Sequence, residues 1–424
     1  MRPAVLFPST FAQSKRLEAA ILLGLGLILL LRYPLHWLNA PPFLMDFEVY
    51  RTASERLFQG EGAQLYTPTS SEMMVFKYAP IWAIALAPLA WLPKHAAAIA
   101  WLILSVLCLV GTLALGLRLL QRQGLHATPL IAVAAVLLLT RPLTEEMGNG
   151  QANSLWGFLT VGGLYALVHQ RGWLAAALLA AASLLKLPAL AFLLYMLMRR
   201  EWGLAARVMA MLVALSLGPS PLIAPHHPTG LLTAWLQALA DNGSEYAFMI
   251  GNQSVLSMLG RFLRHDGFGL NLLNLTPSVL LWVTAGLGLV TMLLIADPQR
   301  PSISPRRRLC DGAMLMVVMT IFSPSAWTAT YLTLSFPILV ALATLLHQGT
   351  HQRIGRIALI LGGLIGLMSL LTHSGPWRLM RMTQWHGERY LFLVFMFLPV
   401  MGLLLLALLG RQRRLLDGVA QSAA

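Results

Sequence analysis

Charge is what this sequence has least of. Only 11% of its 424 residues are Asp, Glu, Lys or Arg, against about 25% in an ordinary soluble domain, and acids are the scarcer sign, 16 against 30 bases. With 57% apolar residues and a mean hydropathy of +0.70, there is too little polar material to clothe a soluble core, and the composition is that of a polytopic membrane protein. Cysteine is almost lacking. Cys108 and Cys310 fall within or at the edge of apolar runs, which excludes a disulfide scaffold and provides no zinc-ligand spacing. Internal repeats and low-complexity blocks are missing as well. A formal net charge of +14 would suggest nucleic acid in a soluble chain. Among membrane spans it reports Lys and Arg held on the cytoplasmic side, so nucleic acid is not an expected partner.

What is present in quantity is apolar helix-forming sequence. Lys15 and Arg16 precede a run over 17–38 whose end lacks the small residues of a cleavage site, because Leu38 stands three positions before a cut at Ala40 and Pro41 would follow it. That run is read as a retained first helix. Further runs cover 95–117, 128–143, 153–168, 172–186, 187–198, 204–222, 273–295, 309–322, 328–346, 356–372 and 390–409, giving about twelve crossings, all helical because lipid offers a free amide no partner. Several are short, notably the pair meeting at Lys186-Leu187-Pro188 and the pair meeting at Ser323-Pro324; short helices leave a recess. The segment 78–93, apolar but carrying three prolines, decides the side of every later loop. Treating it as interfacial or re-entrant puts most of the basic residues, among them Arg118, Arg171, Arg199, Arg307 and Arg413, on one face with few acids. This is the positive-inside pattern with both termini cytoplasmic. The run Arg306-Arg307-Arg308 is then a topological signal facing lipid headgroups. The chain reads as one integral membrane domain, 1–424, with two long outer segments, 40–94 and 223–272.

The first outer segment breaks the scarcity of charge, since Asp46, Glu48, Arg51, Glu55 and Arg56 crowd into "MDFEVYRTASER". Phe47, Tyr50, Ala53, Ser54, Leu57 and Phe58 recur at helical spacing, which predicts an amphipathic surface helix over 47–58. Asp46 then reads as its N-cap, with Glu48 complementing the helix dipole. Elsewhere, Asn149 and Gln151 in "GNGQ" and Asn252 and Gln253 in "GNQS" stand before apolar runs, where such residues either cap the next helix or turn amides toward a ligand. Glu145 and Glu146 diverge on a helix and have no His or Asp at ligand spacing, so neither a metal nor a cofactor is expected. His226, His227, His373 and His386 read as loop or interfacial residues, and Trp377, Trp385 and Tyr390 beside Arg378 and Arg381 as an aromatic belt. Trp327 is placed either to stack on a sugar or to pack.

Taken in order, "DFEVYRTASERLFQGEGAQLY", "FKYAPIWAIALAPLAWLP", "GNGQANSLWGFL", "LAAALLAAASLLKLPALAFLLYML", "GNQSVLSMLGRF" and "SPSAW" resemble the multispanning GT-C glycosyltransferases that use polyprenyl-phosphate sugars, most nearly glycosyltransferase family 87. The resemblance implies an all-α polytopic GT-C fold with interfacial helices in its outer loops. It also implies transfer of a sugar, mannose by analogy, from a polyprenyl-phosphate donor to a hydroxyl of a glycan or glycolipid acceptor at the outer face of a cell membrane. An acid in the first outer loop is implied as general base, which falls on Asp46, and phosphate leaves as a weakly basic anion, so no second carboxyl is needed. Lys77 and Lys186 are implied as phosphate partners. Either lysine can also snorkel to the headgroups without a ligand. Tyr78, Glu48, Asn149, Gln151, Asn252, Gln253 and Trp327 complete the substrate-binding candidates. The rival readings are a secondary transporter or lipid-linked sugar flippase, and a ligase of pyrophosphate-linked sugars relying on Arg261 and Arg264.

Overall fold

The computed structural model describes residues 9–35, 44–68, 74–125, 127–224, 228–249, 251–264, 271–299, 304–347 and 387–422. Helices α1 (Ser9–Arg32), α2 (Met45–Phe58), α3 (Pro80–Leu86) and α4 (Lys94–Arg122) are followed by α5 (Pro129–Leu138), α6 (Thr140–Asn149), α7 (Asn153–Val168) and α8 (Gly172–Leu185). Then come α9 (Ala191–Met198), α10 (Trp202–Leu217), α11 (Ser220–Ile223), α12 (Pro228–Tyr246), α13 (Val255–Leu263), α14 (Pro277–Ala296), α15 (Pro305–Ile321), α16 (Ser335–His347) and α17 (Gly387–Ser422). Among the described residues there is no strand. The main core is a cluster running through α4, α7, α8, α15 and α16, with a small second one at Ala247, Leu256 and Leu280.

Four stretches are each long and apolar enough to cross a bilayer: Lys94–Arg122, Trp202–Ile223, Pro277–Ala296 and Thr328–Leu346. Six further apolar helical stretches, Ala19–Arg32, Pro80–Trp91, Pro129–Leu138, Asn153–Val168, Gly172–Leu185 and Leu187–Met198, are shorter, so the expected count of about twelve full crossings does not follow from helix length. The run 356–372, the four loop histidines and Trp377, Arg378, Arg381 and Trp385 lie outside the described residues, as does the side chain of Tyr390. The segment 78–93 folds as the seven residues of α3 and a 3₁₀ stretch, Ala87–Trp91; seven residues rise only ~10 Å.

Two breaks shape the centre of the molecule. Pro188 has no N–H to give the carbonyl four residues back and its ring crowds that turn, so α8 ends, Lys186 is extended at φ −144° and ψ 115°, and Leu187–Leu190 forms a 3₁₀ turn. The carbonyl that the proline leaves open, Leu184 O, accepts the Ala79 N–H at 3.0 Å, and the Trp82 indole donates to Ala181 O at 3.2 Å. The missing helix bond thus becomes the dock for the Lys77–Tyr78–Ala79 segment. The second break is Gly150, at φ +68°, the left-handed end of α6. A Cβ there would lie 2.9 Å from Phe47 Cβ and 3.0 Å from Leu44 Cβ, so only glycine lets the start of α2 close on the α6–α7 corner. The Trp101 indole donates to the Gly150 carbonyl at 2.8 Å and fixes the corner to α4.

The arginine run is engaged within the protein. Arg306 Nε donates to Gln123 O at 2.8 Å, Arg307 pairs with Asp297 at 2.8 Å, and Arg308 pairs with Glu201 at 2.8 Å. Arg413 from α17 donates to Asp311 at 3.1 Å, and the Tyr195 hydroxyl donates to the same carboxylate at 2.8 Å. Arg307 is buried and directs its donors at protein carboxylates, which corrects the expectation of a headgroup-facing run at that residue, while Arg306 and Arg308 stay partly exposed. These contacts join the ends of α9, α14 and α15 to α17 at one pole of the helices.

Candidate active site

At the opposite pole, four elements bring polar side chains together. Asp46 does not cap α2: the N-cap is Leu44, with no side-chain cap bond, and Asp46 lies in the first turn. The amphipathic face of α2 is as expected at Phe47, Tyr50, Ala53 and Ser54, which are buried, whereas Phe58 is exposed and packs its ring 5.5 Å from that of Trp91. With these neighbours fixed, the half-buried Asp46 carboxylate is held against the α6–α7 corner. Burial pushes its pKa above the ordinary carboxylate value, while Lys186, a hydrogen bond from the Gln151 side chain and Lys77 act to lower it. One acid therefore senses both lysines that the sequence suggested.

The corner itself is densely bonded. Glu146 is buried at 1% exposure; it accepts from Asn153 Nδ2 at 2.7 Å and from the Ser154 N–H at 2.6 Å. Burial raises its pKa, and the Ser154 and Asn153 hydrogen bonds and Lys186 oppose the rise. The Lys186 ammonium donates to Asn153 Oδ1 and stands 5.7 Å from the Trp156 ring centroid. Asn153 Nδ2 also lies 2.8 Å from Gln151 Oε1. The adjacent acids do diverge as expected, since Glu145 pairs with Arg141 and accepts from Asn149 Nδ2 at 3.3 Å. Asn149 thus belongs to the outer side of α6, and its companion Gln151 to the recess. Neither caps α7, whose N-cap is Ala152 with no side-chain bond; Glu146 takes that role.

The Tyr78 and Tyr50 hydroxyls share a hydrogen bond of 2.8 Å. Burial, then Tyr78, then the Asp46 charge hold the Tyr50 phenol well above its usual pKa, so the pair is neutral. Lys77 sits 4.1 Å over the Tyr246 ring, its carbonyl accepts from the Trp235 indole at 3.0 Å, and Tyr246 meets Trp327 edge to face at 6.2 Å. This wall joins the second outer segment to the first. Glu48 instead pairs with Lys94 at 3.0 Å. Asn252 is wholly engaged by protein: its Nδ2 donates to the carbonyls of Tyr246, Ala247 and Pro324, and its Oδ1 accepts from the Ser254 and Ala326 amides. Gln253 Nε2 donates to Thr328 at 2.7 Å, Ser254 caps α13, and Arg261 donates to Asn252 O. The "GNQS" turn is thus a knot tying α13 to the "SPSAW" loop.

Glu146 and Asn153 are the residues that sequence reasoning passed over. A signal existed for the first: Pro142, Leu143, Glu146 and Met147 share one buried face at helical spacing, and an acid on that face calls for a partner. No such signal marks Asn153, because its ammonium partner comes from distant sequence. Among the described residues no group of three or more His, Cys, Asp or Glu is arranged to hold a metal.

The model of glycosyltransferase family 87 matches residues 76–324, more than half of the chain. That range includes Lys77, Tyr78, Gln151 and Lys186 and excludes Asp46. The polyprenol-phosphate-mannose-dependent alpha-(1-2)-phosphatidylinositol mannoside mannosyltransferase of Mycolicibacterium smegmatis is 25% identical over 337 residues, 73% of this chain and 72% of that protein. The protein of the same description from Mycobacterium tuberculosis is 25% identical over 191 residues, 40% of this chain and 43% of that protein.

Proposed function

The chain belongs to glycosyltransferase family 87, and from that premise we propose that it moves a sugar, mannose by analogy with its relatives, from a polyprenyl phosphate to a hydroxyl of a glycolipid or glycan acceptor. The single observation that carries this reading is one half-buried acid within the electrostatic reach of two lysines, Asp46 with Lys186 and Lys77. A carboxylate removes a proton; ammonium groups receive a phosphate. In an inverting displacement the acceptor oxygen attacks the anomeric carbon as the carbon–oxygen bond to phosphate breaks. The hydroxyl proton passes to Asp46, and the bonding pair leaves on the phosphate monoester, whose second negative charge forms beside Lys186 and Lys77. Placing cations where charge develops stabilises the transition state more than the ground state. A leaving phosphate of low basicity needs no proton, so Glu146, held by hydrogen bonds from Asn153 and Ser154 and by the charge of Lys186, need not serve as an acid.

The recess opens extracytoplasmically in this reading, because the arginine pole carries the positive-inside signal and the Asp46 pole is the other end of the same helices. About twelve crossings are retained as a proposal, with α8 and α9 as two short spans meeting at Lys186. The Tyr246–Trp327 wall suits the apolar face of a sugar, and Gln253 lies behind it.

The test is transfer of labelled mannose from polyprenyl-phosphate mannose to extracted membrane glycolipid by purified protein. Wild type is expected to release polyprenyl phosphate and label the acceptor; Asp46→Asn is expected to insert normally and abolish both. Undiminished transfer in that variant removes Asp46 as base. Donor carried across a vesicle bilayer without release of polyprenyl phosphate supports the flippase rival.

A further inference from the structure

We infer that Asn153 is a positioning residue of the transfer site: its buried amide seats Lys186 with the carbonyl oxygen and, through Gln151, aims the Asp46 carboxylate with the amino group, while Glu146 sets which way the amide faces. The inference rests on the proposed transfer reaction and concerns residues outside the expected set. Asn153 has no exposure to solvent. Its Nδ2 lies between two acceptors, Glu146 Oε2 at 2.7 Å and Gln151 Oε1 at 2.8 Å, and its Oδ1 faces the Lys186 ammonium. An ammonium only donates, and an ionised carboxylate only accepts. The opposite rotamer of the amide would therefore set donor against donor at Lys186 and acceptor against acceptor at the buried Glu146, which is costly. Since Asn153 occupies Gln151 Oε1, the amino group is the end of Gln151 left to steady the nearby Asp46 anion. The second Glu146 oxygen accepts from the Ser154 N–H, which fixes that carboxylate to the frame of α7.

Lys186 and Gln151 are thus two ends of one hydrogen-bonded chain that passes through Asn153, and Gln151 is the member of that chain that steadies the Asp46 anion. All three corner residues, Glu146, Gln151 and Asn153, sit at the junction between α6 and α7, which Gly150 keeps in contact with α2. A displaced corner moves the proton acceptor and the phosphate partner together.

Asn153→Asp is nearly isosteric and separates the two ends. It keeps an oxygen toward Lys186 but turns the donor into a third acceptor opposite Glu146 and Gln151, so the Gln151 amide either leaves its oxygen against the introduced carboxylate or flips and turns that oxygen on Asp46. The expected result is a donor KM within about 3-fold of wild type, a kcat lower by about 10-fold or more, and an acid limb of kcat moved to higher pH, because an added like charge raises the pKa of Asp46. If the three facing acceptors prevent folding, Glu146→Gln combined with Asn153→Asp carries the test. In that double variant the amide introduced at position 146 donates to the carboxylate at position 153 and the seat of Lys186 is restored. The Gln151 amide still turns its oxygen on one of the two carboxylates, so KM stays near wild type and kcat does not recover. A kcat and an acid limb equal to wild type, in whichever of these proteins folds, overturns the inference. Asp46→Asn is run alongside. Transfer persisting there ends the reaction assignment itself, whereas a dead Asp46→Asn beside an unaffected Asn153→Asp ends only the role of Asn153.

Discussion

Asp46 sits above the ordinary carboxylate range because burial outweighs Lys186, Gln151 and Lys77, and a base must be ionised to act. With Asp46 as the proposed base, transfer is expected to be complete above that raised pKa and to be lost as pH falls through it. A donor phosphate beside Lys186 cancels part of the field that steadies the Asp46 anion, so the proton is held more tightly in the complex than in the free enzyme. The acid limb of kcat is expected at higher pH than that of kcat/KM, in initial-rate measurements from about pH 4 upward, the range where a carboxylate titrates. Superimposed limbs near the normal carboxylate value would sink this account. Lys186→Met keeps the length of the side chain and deletes its charge; donor KM is expected to rise about 10-fold or more, the loss of one charged hydrogen bond of ~1.5 kcal/mol. An unchanged donor KM would return Lys186 to a purely structural place beside Asn153. Both residues were legible in sequence, Asp46 as an acid opening the first outer segment and Lys186 as a lone lysine in apolar surroundings. Their partners were not, because Asn153 and Glu146 come within reach only when α7 lies against the end of α8.

At the scale of the element, the α6–α7 corner decides where Asp46 stands. Gly150→Ala must adopt a left-handed conformation, at a cost of about 1–2 kcal/mol, and must also push Phe47 and Leu44 aside from contacts of 2.9 and 3.0 Å. Thermal unfolding in detergent is expected to show a loss of about 2–4 kcal/mol together with a reduced kcat. Gly148→Ala supplies the control, since its Cβ meets nothing within 4 Å and alanine favours the helix; equal losses at both positions would show that the corner is not special. The break at Pro188 was readable from the residue type alone. That the carbonyl it frees would accept from Ala79, and so carry Lys77 and Tyr78 to Lys186, was not, because a proline predicts an open acceptor and never its donor. The same limit explains α2: its amphipathic spacing predicted the helix, while the cap expected at Asp46 fell to Leu44 because the chain enters the helix before the apolar face begins.

For the molecule as a whole, the helices separate an acid-and-lysine pole from an arginine pole. α15 alone carries Arg306, Arg307 and Arg308 at its start, and its 17 residues extend ~25 Å toward the "SPSAW" loop. Sidedness can be read chemically, because both natural cysteines are buried. A membrane-impermeant maleimide on intact cells is expected to label Gln59→Cys, at the exposed end of α2, and to reach Arg171→Cys, at the exposed start of α8, only after lysis. The reverse pattern would put Asp46 in the cytosol and end the proposed reaction. The arginine pole also shows where charge counting misleads. The bias in Lys and Arg gave an orientation, but the same guanidinium groups satisfy Asp297, Asp311 and Glu201 within the protein, because an arginine at a helix end is attracted by an acid as much as by a lipid phosphate.

Composition by itself determined that this chain is a helical membrane protein, since a chain with so few charges and so many apolar residues can satisfy its backbone in lipid only as helices. Local order determined the surface helix at α2, the breaks at Gly150 and Pro188, and the candidates Asp46, Lys77 and Lys186. Tertiary structure decided which of these meet. It joined Gln151 to Lys186 through Asn153 within the electrostatic reach of Asp46, sent Glu48 to Lys94, and committed Asn252 to tying two loops together. The physical reason is that a polar side chain in a dry interior is defined by its hydrogen-bond partner, and a partner many residues away leaves no mark in the sequence around it.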